Sequence, residues 1–267
     1  MSLFYLLLVA TIQGLTEFLP VSSSGHLALL PALTGQPDQG LAIDIAVHVG
    51  SLFAVILYFW TDVKIAAHGS LRLMKGKVDT KGAFLALCLI TATIPVVLAG
   101  LALKLSGFDS ALRSVAVIGW TMIGFGLVLY WADRTGSAEK TADRWTIRDA
   151  AAMGLAQVLA LVPGTSRSGI TITAARKLGY DREGAAKLAM LMSIPTIIAS
   201  GLILSIEVVG TANWAMARDA SIAAVFAFAA ALLALSLMMK LLRSVSFTPY
   251  VIYRVVIGIV LLVYAYS

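Results

Sequence analysis

Long apolar intervals separated by short charged segments dominate this chain and predict a helical membrane protein. Five intervals free of Asp, Glu, Lys and Arg are 17 to 22 residues long, close to the about 20 residues that a helix needs to cross a bilayer. They lie between Asp44 and Asp62, Lys81 and Lys104, Arg113 and Asp133, Lys187 and Glu207, and Asp219 and Lys240. A sixth, residues 249–266, contains Arg254 near its start, where a long side chain can extend to the interface. The pattern predicts six transmembrane helices.

Two short polar runs interrupt apolar segments at half-membrane depth. They are Ser22-Ser23-Ser24-Gly25-His26 and Thr165-Ser166-Arg167-Ser168-Gly169, and a proline precedes each. The surrounding segments, residues 2–33 and 150–176, each contain an apolar stretch, the break and a second apolar stretch. Irregular backbone is tolerated at that depth only where protein covers it or a wet cavity solvates it. We therefore expect two re-entrant helical hairpins that line one cavity.

The composition agrees with this interpretation, and the positions of the basic residues explain the net charge. Of the 267 residues, 60% are hydrophobic and 13% are charged, whereas about a quarter of the residues of a soluble domain are charged. With six crossings and two re-entrant hairpins, 16 of the 20 Lys and Arg residues fall on one side of the membrane, as expected for the cytoplasmic side. The net charge of +6 thus reflects topology rather than nucleic-acid binding, and both termini are predicted to lie outside the cytoplasm.

The two hairpin segments resemble each other in sequence. Residues 14–17 (Gly-Leu-Thr-Glu) parallel residues 154–157 (Gly-Leu-Ala-Gln), and residues 20–23 parallel residues 163–166 after a three-residue shift. Because three full crossings separate the hairpins, the second must enter from the opposite face. We expect an all-α, polytopic single domain in an inverted-topology repeat, with repeat 1 at about 1–131, an exposed cytoplasmic loop at 132–149 and repeat 2 at about 150–267.

The second polar run is suited to bind an anion. Backbone N–H groups at the start of a half-helix attract negative charge, and the planar fork of Arg167 matches phosphate oxygens. The small residues that would complete a phosphate or pyrophosphate site are Gly164, Thr165, Ser166 and Ser168. The alternative is that Arg167 pairs with a buried carboxylate such as Glu17.

The first polar run offers reactive groups. Gln13 and Glu17 are four residues apart and share one helix face, and a carboxylate at that depth must be paired, protonated or bound to a metal. One carboxylate together with substrate phosphates is a usual way to hold Mg²⁺ or Ca²⁺. His26 can act as a base, an acid or a nucleophile. The hydroxyls within reach belong to Ser22, Ser23 and Ser24, for which interhelical hydrogen bonding is the alternative role.

These motifs closely resemble those of the bacterial undecaprenyl-diphosphate phosphatases of the BacA/UppP type. The resemblance rests on residues 13–26 (Gln-Gly-Leu-Thr-Glu-Phe-Leu-Pro-Val-Ser-Ser-Ser-Gly-His) and residues 163–169 (Pro-Gly-Thr-Ser-Arg-Ser-Gly), and it extends over the whole chain in length and order of spans. It implies hydrolysis of the diphosphate of a polyprenyl lipid carrier to the monophosphate, recycling of the carrier for cell-wall synthesis and bacitracin tolerance. It also implies dependence on Mg²⁺ or Ca²⁺ and a plasma-membrane location with the site open to the periplasmic side.

The resemblance assigns roles to particular residues. Its serine and histidine group falls on Ser22, Ser23, Ser24 and His26, and its arginine falls on Arg167. We expect Glu17, Ser23, His26 and Arg167 to be catalytic, and Gln13, Ser22 and Ser24 to bind the substrate with the residues of the second run. The family's acidic pair falls on Gln13 and Glu17, and many members have Glu where this chain has Gln13, so Glu17 alone would anchor the cation. Either Ser23 attacks with His26 as its base, or His26 attacks while Ser23 orients the substrate.

Three questions stay open at the level of sequence. Asp44 and His48 at the start of the first span are four residues apart and are interpreted as a helix-end contact rather than as site residues. A lipid-phosphate transporter that uses the same cavity is the rival function, because inverted repeats are common among transporters. Membrane lipids and the lipid substrate are the expected partners, and a homodimer is left open.

Overall fold

The computed structural model describes residues 1–107, 112, 114–208 and 214–267, and these ranges form helices and short connections without a β-strand. The helices are α1 (Leu3–Glu17), α2 (Ser23–Thr34), α3 (Leu41–Tyr58), α4 (Trp60–Leu73), α5 (Lys81–Ser106), α6 (Val115–Thr135), α7 (Ile147–Gln157), α8 (Arg167–Lys177), α9 (Arg182–Val208), α10 (Trp214–Leu241) and α11 (Thr248–Tyr266). Six of them (α3, α5, α6, α9, α10 and α11) are long and apolar enough to cross a membrane. The prediction of six spans is confirmed, and the chain is a multi-pass membrane protein.

The two segments with polar runs form shorter helices on either side of a break. In the first, α1 and α2 are separated by residues 18–22; in the second, a 3-10 turn (Val158–Leu161) and residues 162–166 separate α7 from α8. Pro20 and Pro163 lie in these breaks, where the residue before a proline avoids helical geometry. With 11 to 15 residues each, none of these four helices spans a bilayer alone. Their re-entrant course through a membrane stays a prediction.

The first helix of each broken segment packs against a long helix of the other half of the chain. α1 packs against α10, and α7 packs against α5. The approach is close in both pairs: a Cβ on Gly14 would lie 2.5 Å from the carbonyl oxygen of Ala227, and a Cβ on Gly154 would lie 2.5 Å from that of Ala92. α3 also packs against α10, α6 against α11, and α8 against α6 and α9. These contacts bring both breaks into the interior of the bundle.

Two features of the fold differ from the sequence-based expectations. Helix α4 was not predicted; it follows α3 directly and packs against α5, with a Cβ on Gly69 meeting the backbone of Gly82. The loop at 132–149 is not uniformly exposed, because Asp133 and Asp149 are buried. Asp133 lies near the end of α6 and Asp149 near the start of α7, and charged or phenolic donors compensate the two buried carboxylates.

Asp133 joins four helices. Its Oδ1 accepts from Arg176 Nε at 3.1 Å and from Arg182 Nε at 2.8 Å, and its Oδ2 accepts from the backbone N–H of Phe247 at 3.3 Å. Asp149 accepts from the Tyr180 hydroxyl at 2.7 Å. Burial, followed by this hydrogen bond, raises the pKa of the Tyr180 phenol.

Candidate active site

The two breaks meet, and their contact joins the two predicted polar runs. Ser168 Oγ donates to the carbonyl oxygen of Leu19 at 2.9 Å, so the start of α8 is tied to the first break. Arg167 Nη2 donates to Glu17 Oε1 at 2.8 Å. The fold therefore places the carboxylate of one run against the guanidinium of the other.

Glu17 is the centre of this cluster. It is the last residue of α1, and the residue is 7% exposed. Its Oε2 accepts from Gln13 Nε2 at 2.8 Å and from Ser23 Oγ at 2.6 Å. With Arg167 on Oε1, the carboxylate has three donors, which compensates its burial. The ion pair considered as the alternative role of Arg167 is thus present, and it lies inside the proposed site.

Both breaks end in the same strained conformation. Ser22 has φ of 72° and Ser166 has φ of 71°, values that residues other than glycine seldom adopt and that concentrate at functional sites. Each serine caps the following helix, because its Oγ accepts from the N–H of Gly25 at 3.3 Å or of Gly169 at 3.1 Å. Ser22 therefore corresponds to Ser166, one position away from the pairing that the sequence parallel predicts.

The two caps place two of the predicted site residues in equivalent positions. Ser23 and Arg167 are each the first residue of a helix, α2 and α8. Each of these helix N-termini thus carries a predicted site residue beside the positive end of its backbone dipoles.

His26 is held away from Ser23. Its Nδ1 lies 2.7 Å from the carbonyl oxygen of Ser22, and since a carbonyl only accepts, Nδ1 carries the proton. Its Nε2 lies 2.7 Å from the hydroxyl of Tyr253, and the two rings are parallel, with centroids 5.6 Å apart. The Ser23 hydroxyl donates to Glu17 instead, so the geometry differs from the expected Ser23–His26 pair.

Three buried polar atoms of the site have no hydrogen-bond partner among the described residues. They are Gln13 Oε1, Thr165 Oγ1 and Arg167 Nη1. A buried polar atom without a partner costs about 1–3 kcal/mol. One acceptor, one donor and one hydroxyl that can act as either thus lack a partner within one site, which indicates that a polar ligand completes their bonding.

Other predicted residues are placed less directly. Gly164 has φ of 88°, and a Cβ there would lie 2.1 Å from Thr121 Oγ1, so glycine is required for the break to pack on α6. Ser24 is exposed, and its hydroxyl lies 3.4 Å from Ser22 Oγ. Gly164 thus lies against α6, and Ser24 lies at the exposed edge of the cluster.

The structure adds three residues that the sequence did not assign to the site. His48 Nε2 lies 3.8 Å from Glu17 Oε2, while Asp44 accepts from Gln39 at 2.8 Å and is not part of the cluster. Tyr253 and Arg254, both on α11, are the others. Arg254 does not extend to the interface as expected, because it is fully buried against the breaks. It lies six residues after Thr248, the first residue of α11, and this distance from the helix start was the sequence signal for a buried position.

The described residues contain no group of three or more His, Cys, Asp and Glu side chains that could hold a metal ion. Glu17 and the unpartnered Oε1 of Gln13 are the oxygen donors in place. These are hard ligands of the kind that Mg²⁺ and Ca²⁺ prefer, and they fit a cation only if substrate oxygens complete the set.

Comparison with known proteins identifies the family. The family model for bacitracin resistance protein BacA matches residues 6–260. This chain belongs to the BacA family. The proteins named undecaprenyl-diphosphatase from Roseobacter denitrificans, Dinoroseobacter shibae and Jannaschia sp. are 76%, 68% and 65% identical to it over 267 residues, which cover 100% of both chains in each case. The resemblance to this family that the two polar runs indicated is therefore confirmed.

Proposed function

We propose that this chain hydrolyses undecaprenyl diphosphate to undecaprenyl phosphate and inorganic phosphate. The names of its full-length relatives support the substrate. The observation that carries the chemistry is the bonding of the Glu17 carboxylate. It accepts a hydrogen bond from the Ser23 hydroxyl at 2.6 Å and pairs with Arg167. The Nη1 atom of Arg167 has no hydrogen-bond partner among the described residues. A nucleophile, its base and a phosphate-binding cation are thus within one cluster.

Substrate binding engages the second break first. Arg167 Nη1 and the N–H groups in the first turn of α8 bind oxygens of the terminal phosphate, and Thr165 Oγ1 supplies a further hydrogen bond. As the guanidinium turns toward the phosphate, the ion pair with Glu17 weakens. Glu17 then becomes a stronger base at the moment when the phosphorus atom is in place.

Ser23 then attacks the terminal phosphorus. The proton moves from Ser23 Oγ to Glu17, the Oγ–P bond forms, and the bond from phosphorus to the bridging oxygen breaks. Undecaprenyl phosphate leaves with that oxygen, while Arg167 stabilises the charge on the transferred group. Water hydrolyses the phosphoserine and releases inorganic phosphate. His26, held by Ser22 and Tyr253, orients substrate from the opposite wall.

A divalent cation, Mg²⁺ or Ca²⁺, is the proposed cofactor. Glu17 and Gln13 would hold it together with phosphate oxygens, and it would supply further neutralisation of phosphate charge. Gln13 Oε1, buried without a partner, is the atom that supports this assignment.

The proposed topology keeps both broken segments re-entrant in an inverted repeat, with the termini external and the site open to the periplasmic side. The packing of α1 on α10 and of α7 on α5, with Gly14 and Gly154 in corresponding contacts, supports this arrangement. In the bacterial plasma membrane the reaction would recycle the lipid carrier for cell-wall synthesis, and it accounts for tolerance to bacitracin.

The decisive experiment measures phosphate release from undecaprenyl diphosphate in detergent with Mg²⁺ present. We expect activity in wild type and in Ser244→Ala, an exposed serine outside the cluster, and a loss of at least about 10³-fold in Ser23→Ala and Glu17→Gln. Acid-stable phosphoprotein trapped during turnover would support Ser23, whereas an acid-labile adduct would assign attack to His26, and no adduct would assign it to water. Absence of hydrolysis by wild type would favour the rival transporter, which needs Arg167 but no Ser23–Glu17 pair.

A further inference from the structure

Arg254 is a buried arginine that contacts both breaks. Its side chain is fully buried, and all of its hydrogen bonds go to backbone carbonyls. The acceptors are Met122 at 3.1 Å from Nε, Pro20 at 3.3 Å from Nη1, and Thr121, Gly164 and Thr165 at 3.4, 3.0 and 2.8 Å from Nη2. One side chain of α11 thus binds the first break, the second break and α6.

The charge of Arg254 has no counter-ion. No carboxylate of the described residues lies within ion-pair distance of it, whereas the other buried arginine, Arg176, pairs with Asp133. A buried charge without a partner is costly, and carbonyl dipoles compensate only part of that cost. We interpret this cost as one that binding of a negatively charged ligand offsets.

The charges of the site add up to a net positive value. Glu17 and Arg167 form a pair at 2.8 Å and cancel each other, so the charge of Arg254 is left over. The N-termini of α2 and α8 face the same region and add partial positive charge. A diphosphate, which carries at least two negative charges, is the complementary ligand.

We infer that Arg254 is a positioning residue for diphosphate hydrolysis. Its bonds to the carbonyls of Pro20, Gly164 and Thr165 fix the nucleophile-bearing break against the phosphate-binding break. Its uncompensated charge attracts the diphosphate while Arg167 and Glu17 are still paired, before the guanidinium of Arg167 turns toward the phosphate. This inference rests on the proposed function and adds a third element, α11, to the site.

Two substitutions separate the two roles. Arg254→Lys keeps the charge, but the shorter set of donors cannot reach all of the carbonyls. We expect kcat to fall by at least about tenfold, because small displacements of reacting groups cause losses of that size. KM should change by no more than about twofold. Arg254→Met removes the charge as well. Its KM is expected to rise by about tenfold, the effect of a unit charge acting over about 10 Å at an effective dielectric constant of about 20.

Arg176→Lys is the matched control, because it also alters a buried arginine but leaves both breaks untouched. The melting temperature of each variant is measured in the same detergent as its kinetics. If Arg176→Lys and Arg254→Lys lose kcat equally at equal loss of melting temperature, Arg254 is only structural and the inference is wrong. If wild type itself releases no phosphate, it is the proposed function that fails.

A milder variant decides the matter if both substitutions of Arg254 prevent folding. A Cβ on Gly126 would lie 3.3 Å from the Cβ of Arg254, so Gly126→Ala shifts this side chain without removing it. We expect a several-fold lower kcat at unchanged melting temperature. Wild-type kcat in folded Gly126→Ala would overturn the positioning role.

Discussion

Three donors at the Glu17 carboxylate explain how an acidic residue is kept in an apolar environment. Gln13 and Ser23 satisfy one oxygen and Arg167 the other, so the carboxylate remains charged without contact to bulk water. The same arrangement makes the site responsive to substrate, because the strongest of these partners is also the residue suited to bind phosphate.

The role of Tyr253 can be tested by removing a single oxygen atom. Tyr253→Phe removes the hydroxyl on His26 Nε2 and preserves the parallel ring. We expect kcat to fall about three- to tenfold, the effect of one lost hydrogen bond, because the imidazole is no longer fixed. Tyr264→Phe, an exposed tyrosine on the same helix, is the control. A rise in kcat would contradict this expectation and would indicate that His26 Nε2 is the nucleophile, freed by loss of the hydroxyl.

At the scale of elements, residue types in the sequence predicted the spans and breaks, but not which residues face each other. Five charge-free intervals and a sixth apolar interval that contains Arg254 marked the six long helices, since the length of an apolar stretch can be read directly from the sequence. The prolines and serines marked both breaks, but the correct correspondence of Ser22 with Ser166 depends on backbone dihedral angles that no sequence pattern displays. Arg254 and Tyr253 were missed because their partners are carbonyls and a histidine over 80 residues away.

The Asp133 junction is an element-scale feature with a measurable contribution to stability. Asp133→Asn leaves Arg176 buried with its positive charge uncompensated. We expect a loss of about 3–5 kcal/mol in the free energy of unfolding, seen as a lower melting temperature in detergent. Asp143→Asn, an exposed carboxylate in the same connection, should leave the melting temperature unchanged. Equal stability of the two variants would show that the junction contributes nothing.

At the scale of the whole molecule, the proposed topology is tested by labelling cysteines in intact cells. The chain has a single cysteine, Cys88, which is buried, so Cys88→Ala provides a background without reactive thiols. In this background we expect a membrane-impermeant maleimide to label Ser267→Cys from outside. Lys75→Cys should be labelled only after permeabilisation, because it lies in the basic connection assigned to the cytoplasm.

The same experiment tests whether α5 and α6 both cross the membrane. If Lys75→Cys and a cysteine at Arg148 are labelled from opposite sides, an even number of crossings between them is excluded and the charge-based topology is wrong. Labelling of both only after permeabilisation agrees with α5 and α6 as the two crossings between them.

The equivalence of the two helix starts has a consequence for symmetry. The first residue of α2 is Ser23 and that of α8 is Arg167, so equivalent positions hold the proposed nucleophile in one broken segment and a cation in the other. Two identical subunits could not produce this combination, because a symmetric pair would set serine against serine or arginine against arginine. One chain that contains both broken segments allows each to carry a different side chain, and the proposed reaction depends on that difference.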